Sequence, residues 1–332
     1  MSAFRLSTMT AAITLGLSTA AQAQESLILA TPMPEDHIMH TTAQAFMDAL
    51  PDEAGLNIEY HPAGDLGDWT SLFEQVSQGA LPMSMTYAAS DLDKRLDITL
   101  LPYAFEDWES AESAIRIDGS LFPLYEEIYA DLDMKLLGII PVDFYGLAMR
   151  KGDDRVPTAF PDDAQGIKLR VAPVAIGVEQ FKTFGFSPVP MPYAELYTAL
   201  QLGTVDGRAY ATPAEIWQMR DVLSSYILTN DSFEQGAWVV NQQWWDSLPE
   251  AQQQAILEAR DDALDVAWEQ ARDTSENFKS KIREAGVEIV ELSEAEMTQA
   301  QSLARDEVWP WMEEQVGQAL INTVREATTS TP

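Results

Sequence analysis

The sequence predicts an α/β protein of two domains. Three observations carry this. Short apolar, β-prone runs alternate with helical stretches, the pattern of α/β layers with a mostly parallel sheet. The chain of 332 residues is long enough for two cores. Near the C-terminus, Leu257, Leu264, Trp268, Ala271, Phe278 and Ile282 keep helical spacing in a helix expected from Ser247 to about Ala285, more than thirty residues or roughly 50 Å at 1.5 Å per residue. A helix that long exceeds one small domain and is expected to bridge two.

The N-terminus is a separate object. Arg5 is its only charged side chain, an apolar stretch runs from Met9 to Ala20, and Ala21-Gln22-Ala23 is an A-x-A cleavage pattern. Residues 1–23 therefore read as a secretory signal peptide, too short and wrongly flanked for a membrane span. No later stretch has 18 consecutive apolar residues, so the mature chain is expected to be soluble, in a periplasm. The chain has no cysteine, which excludes the small disulfide-stapled secreted classes. The formal charge of −33 repels nucleic acid and anionic lipid, and such a surface suits high external salt.

In chain order, strands are expected at Leu27–Ala30, Asn57–His61, Met83–Tyr87, Lys135–Ile140, Lys168–Val171, Tyr226–Leu228, Ala237–Val240 and Glu288–Val290. Helices are expected near 36–50, 68–79, 107–117, 120–132, 174–184, 192–202 and 212–223. Ser247-Leu248-Pro249-Glu250 reads as a capping box opening the long helix, which ends at Gly286. Ser293 and Glu296 read as a second capping box, opening a final helix to about Arg325. The tail, residues 328–332, should fray.

Residues 166–207 concentrate the information. Arg170 ends the apolar run Gly166–Val171, and a second helix opens after Pro190-Met191-Pro192 and stops at Gly203. A guanidinium fixed between two short helices suits grasping a carboxylate, because its planar fork matches both oxygens.

These segments, together with His61–Gly67, Val205-Asp206-Gly207 and Trp244–Gln252, resemble the DctP-type solute-binding subunits of TRAP transporters along essentially the whole mature chain. The resemblance implies a two-lobed periplasmic binding protein fold with the long scaffold helix spanning both lobes. Lobe I would comprise residues 24–145 and 236–275, and lobe II residues 146–235 and 276–327. The protein would close on its ligand by hinge motion, act as a monomer and perform no chemistry. It would deliver a small-molecule carboxylate to the small and large subunits of a TRAP membrane permease.

The resemblance also assigns roles. Arg170 would grip the ligand carboxylate, and Tyr193 would stack on the ligand or shield the ion pair. Tyr210 takes a position where the family commonly has Asn, Pro173 one where a polar residue is common, and Trp69 one that can be polar. Tyr87 begins a stretch without a carboxylate that some members use. The family's second arginine has no clear match, and Arg150 is its displaced candidate. With polar positions turned into Trp69, Pro173 and Tyr210, the expected ligand is an aromatic or apolar monocarboxylate.

Other chemistries find little support. His37 and His40 lie three apart near Glu35 and Asp36, but His61 is the only other histidine, so no metal or cofactor is expected. No G-x-S-x-G elbow and no G-x-G-x-x-G loop is present, and with 53 Asp and Glu a carboxylate pair carries no information. Trp309-Pro310-Trp311 is expected to anchor the last helix. An exported enzyme acting on organic acids lacks a nucleophile–base pair. A receptor reporting to a sensory system would share this sequence pattern.

Overall fold

The computed structural model of the chain describes residues 25–329. The expected signal peptide and residues 330–332 lie outside them.

The strands among these residues are β1 (Glu25–Ala30), β2 (Leu56–His61), β3 (Met83–Thr86), β4 (Met134–Phe144), β5 (Gly146–Arg150), β6 (Lys168–Val171), β7 (Ser187–Pro190), β8 (Gly207–Ala211), β9 (Leu223–Leu228), β10 (Phe233–Asn241) and β11 (Glu288–Glu291). They form two sheets, in orders β2-β1-β3-β10-β4 and β11-β9-β5-β8-β6-β7. Each sheet is the floor of one lobe.

Both sheets are mostly parallel, as the sequence predicts, and each is made mixed by one strand running against the rest. β1, β2 and β3 run parallel, but β10 is antiparallel to both β3 and β4. In the second sheet β5 runs antiparallel to β8 and β9. The cause is the chain path. It passes between lobes through strands, so a strand that returns from the far lobe points backwards in the sheet it joins.

The sequence also missed β5, β7 and β8. β7 reads Ser187-Pro188-Val189-Pro190, and proline cannot donate to a ladder. It is tolerated because β7 is the sheet edge and pairs only with β6.

Helices form where expected, with shorter ends. His37 caps Ile38–Ala49, its Nδ1 accepting from the Met39 amide at 3.2 Å. Asp107 and Ser110 form a capping box for Trp108–Ile115. The long helix spans Glu250–Glu284, 35 residues. Ser247 does not open it. A short helix, Gln242–Ser247, comes first, and the Ser247 hydroxyl donates to the Trp244 carbonyl at 2.6 Å. The long helix starts after Pro249 with no side-chain cap.

The Ser293–Glu296 capping box is present. The expected single final helix is three pieces: Glu294–Leu303, then Trp309–Val316 after a π turn at Ala304–Val308, then Gln318–Thr329. Pro310 offers no backbone N–H to the preceding turn, which favours the wider π geometry there. Gly317, at φ 93, breaks the chain before the last piece. Trp309 is buried, and its Nε1 donates to the Pro102 carbonyl at 2.8 Å.

The long helix feeds both lobes. Ile256, Leu264 and Ala267 pack with Leu27, Met85 and Trp238 of the first sheet. Ile282 packs with Ala148, Leu223 and Tyr226 of the second. Two strand crossovers join the lobes beside it: β4 to β5 through Tyr145, and β9 to β10 through Thr229–Ser232. The Tyr145 amide donates to the Ser232 carbonyl at 2.8 Å, tying the crossovers together. Asp231 between them is fully buried, and burial pushes its carboxyl up to about 7.

Candidate ligand-binding site

β6 and β8 pair in parallel with Arg170 opposite Arg208. Both guanidiniums lie below 5 % exposure, Arg170 at 4 % and Arg208 at 1 %. Both stand over the ring of Tyr193, at 5.9 and 5.7 Å from its centroid. Tyr193 is the first residue of Tyr193–Leu202, held there by the extended Pro190–Pro192 link, and is 44 % exposed. The helix stops at Gly203, whose left-handed φ of 72° suits a residue without Cβ.

The two arginines differ in their partners. Arg208 forms an ion pair with Glu215 at 2.8 Å and donates to the Tyr210 carbonyl. Glu215 is fixed in turn by the Thr212 capping box at the start of Pro213–Gln218. Burial disfavours the Arg208 charge, but the fields of Glu215 and Tyr193 outweigh it and raise its pKa. Arg170 donates only its Nε, to the Met191 carbonyl at 3.0 Å. Among the described residues no carboxylate pairs with it. Burial, and then the Arg208 charge, push its pKa down to about 10.

The first lobe presents a different surface. His37 sits after β1, Tyr87 after β3 and Glu234 near the start of β10. Burial holds His37 down to about 4, so the ring is neutral at ordinary pH. Its Nδ1 accepts from a backbone amide, so its Nε2 carries the proton and donates to the Tyr87 hydroxyl at 3.3 Å. Tyr87 donates onward to Glu234 Oε1. Glu234 Oε2 is buried and has no partner. Burial first, then the Glu215 charge, push the Glu234 carboxyl up to about 8. Glu234 acts electrostatically on Tyr193 and Arg208 of the second lobe, so the two surfaces share one space. A cavity of about 20 Å³, room for one water, lies between His37, Asp143, Thr212 and Ser275.

The other predicted residues scatter. Tyr210 is 5 % exposed and packs edge-on to Tyr145 and Phe181, with its hydroxyl donating to Gln180 at 3.2 Å. Its φ of 52° is rare for an aromatic residue, and the Arg208 bond to its carbonyl helps hold it. Trp69 packs against the first-lobe core at the start of Trp69–Ser77, and its carbonyl accepts from Thr86 at 3.0 Å. Pro173 is exposed in the turn after β6. Arg150 is apart from the Arg170 group: its guanidinium lies against Gly203 and donates to the Lys151 carbonyl at 3.0 Å. Among the described residues no group of three or more His, Asp or Glu could hold a metal.

Sequence reasoning missed Arg208, Glu215 and Glu234. The Thr212-Pro213-Ala214-Glu215 box, seven residues past Arg208, was a usable signal. Glu234 left none in so acidic a chain.

Two lobes, each on its own sheet and joined by strand crossovers and one spanning helix, define a ligand-binding protein. Residues 29–315 match the family described as bacterial extracellular solute-binding protein, family 7, the DctP family, and the chain belongs to it. It is 27 % identical over 298 residues to the ectoine-binding periplasmic protein TeaA of Halomonas elongata, covering 87 % of this chain and 85 % of the relative. It is 25 % identical to the 2,3-diketo-L-gulonate-binding periplasmic protein YiaO of Escherichia coli, covering 82 % and 83 %. The solved structure of the Halomonas elongata protein superposes with a TM-score of 0.84 at 22 % identity, covering 92 % of this chain and all of that one. A succinate-bound TRAP periplasmic protein from Shewanella oneidensis gives 0.81 at 21 % identity, covering 92 % and 100 %. Members of the family are periplasmic solute-binding subunits of TRAP transporters, which work with membrane permease components, and are not enzymes. Among the described residues no helix is long and apolar enough to cross a membrane.

Proposed function

We propose that the chain, after losing residues 1–23, binds an organic monocarboxylate in the periplasm and hands it to the small and large subunits of a TRAP permease. It does so as a monomer. The lobes part at Tyr145 and at Thr229–Ser232, and they close with Arg170 gripping the ligand carboxylate.

The observation that carries this reading is the unpaired guanidinium of Arg170. A buried cation without an anion costs several kcal/mol, and the fold accepts that cost here while giving Arg208 its own acid. A ligand carboxylate relieves it, through the Nη nitrogens that the protein leaves without an acceptor among the described residues. Tyr193 offers a ring beside that guanidinium, and Tyr87, Tyr210, Trp69 and Pro173 are the further residues this reading assigns to the ligand. These favour an aromatic or apolar body for the ligand. Arg150 is not required. The relatives bind acids as different as ectoine and 2,3-diketo-L-gulonate, so the family alone does not choose the ligand.

Calorimetric titration with benzoate, cyclohexanecarboxylate, short-chain acids, succinate and malate tests the reading. Binding of one or more monocarboxylates, weakened in Arg170→Lys, is expected. Tight binding of succinate or malate alone would overturn the assigned ligand class, and unchanged affinity in Arg170→Lys would remove Arg170 from the site.

A further inference from the structure

The space between the lobes holds two unmet electrostatic demands, not one. Arg170 is buried without an anion, and Glu234 is buried with Oε2 lacking any partner. They come from opposite lobes, Arg170 from β6 and Glu234 from β10. The remaining charges of the space cancel, because Arg208 and Glu215 pair with each other at 2.8 Å. His37 is neutral, and Tyr87 is held protonated by burial and by Glu234.

A simple anion would satisfy Arg170 and leave Glu234 stranded. A dicarboxylate would bring a second anion for which the space offers no cation, Arg208 being paired with Glu215. A molecule with one carboxylate and one cationic N–H satisfies both and brings no net charge into the closed space. From this juxtaposition we infer that the site takes a zwitterion: a monocarboxylate whose far end carries an N–H cation seated on Glu234. The inference rests on Arg170 holding the carboxylate.

The hydrogen-bond chain supports it. The Met39 amide donates to His37, His37 to Tyr87 and Tyr87 to Glu234 Oε1, so one carboxylate oxygen is fixed from behind. The other oxygen is left as the open acceptor. Tyr193, over which both arginines stand, already shows that ring faces here meet cations.

A proton accompanies the ligand. Without it, burial and Glu215 keep the Glu234 carboxyl largely protonated at pH 7, its pKa being about 8. A cation against Oε2 favours the ionised form and expels that proton. The other charged or titratable groups facing Glu234 are Tyr87, Tyr145, Asp143, Tyr193, Arg208 and Glu215. Of these Asp143, on the neighbouring strand, also titrates near pH 7, where burial pushes it to about 7.

The test uses the full mature chain and matched acids: cyclohexanecarboxylate, 4-hydroxycyclohexanecarboxylate, and piperidine-2-, -3- and -4-carboxylate. The best piperidine acid is expected to bind about tenfold or more tighter than both carbocyclic acids, a gap of about 1.4 kcal/mol. Titration at pH 7 in phosphate and in Tris should show release of most of one proton on its binding. Glu234→Gln should abolish both the preference and the proton release, with its melting temperature measured to confirm folding. Asp143→Asn should leave the proton release in place.

Equal binding of the carbocyclic acids overturns the inference and leaves the Arg170 clamp standing. So does a hydroxy acid that matches the piperidine acids, or a preference that persists in Glu234→Gln. Failure of every carboxylate overturns the clamp, and the inference with it.

Discussion

β6 and β8 lie side by side, and each carries one buried arginine at the same register. On β8, Arg208 is part of the structure: Glu215 balances its charge, and its donors tie down the Tyr210 carbonyl, a residue in left-handed backbone. On β6, Arg170 has the same burial, the same tyrosine face and no acid. Their pKa values move in opposite directions for this reason, Arg208 up and Arg170 down. Burial therefore does not tell an arginine paired within the fold from one left open to a ligand. The partner does.

The contrast can be broken by mutation. Arg208→Met should have the largest effect, a loss of about 3–5 kcal/mol of folding stability in urea, because Glu215 loses its counter-ion and Tyr210 its anchor. If Arg208 instead proves silent for stability and lethal for binding, the roles are reversed. Arg170→Lys should cost about 1.5–3 kcal/mol of ligand affinity by calorimetry and little stability. Arg170→Met, which removes an uncompensated buried charge, should leave the unfolding midpoint unchanged or higher. A drop comparable to that of Arg208→Met would mean that Arg170 too is structural.

Glu215→Gln turns Arg208 into a second unpaired cation. It should cost about 1–3 kcal/mol of stability, and its effect should largely vanish in the Arg208→Met background, which a double-mutant cycle measures. Additive losses would deny the pair. Tyr193→Leu should have the smallest effect, about 0.5–1 kcal/mol, through the cation–π contacts the two arginines share. It should lower stability and affinity together, and an effect on one alone would assign the ring to a single arginine.

How much of this the sequence disclosed follows the reach of each interaction. The place of Arg170 in a strand leading to the Pro190–Pro192 link was legible because these are local signals in one short stretch. The long helix was legible because helical periodicity is local too, though its start was misplaced by a serine that bonds backward to Trp244. β7 was hidden by its two prolines, tolerated only at a sheet edge that the sequence cannot mark. Tyr210 stood at a family ligand position, but its packing against Phe181 and Gly177 depends on a helix some thirty residues earlier. Glu234 was invisible. Its meaning comes from Tyr87 and His37, brought to it by sheet pairing, and nothing in its own neighbourhood separates it from the other acids.

β10 sits in the middle of the first sheet, between β3 and β4, although it is made of residues 233–241. Until that segment arrives, β3 and β4 have no strand between them and the nascent N-terminal half has no finished floor on which to collapse. Synthesis of everything before β10 thus leaves the first sheet open, while the strands β5 to β9 of the second are already made, so the lobe begun first waits for a segment that follows most of the other.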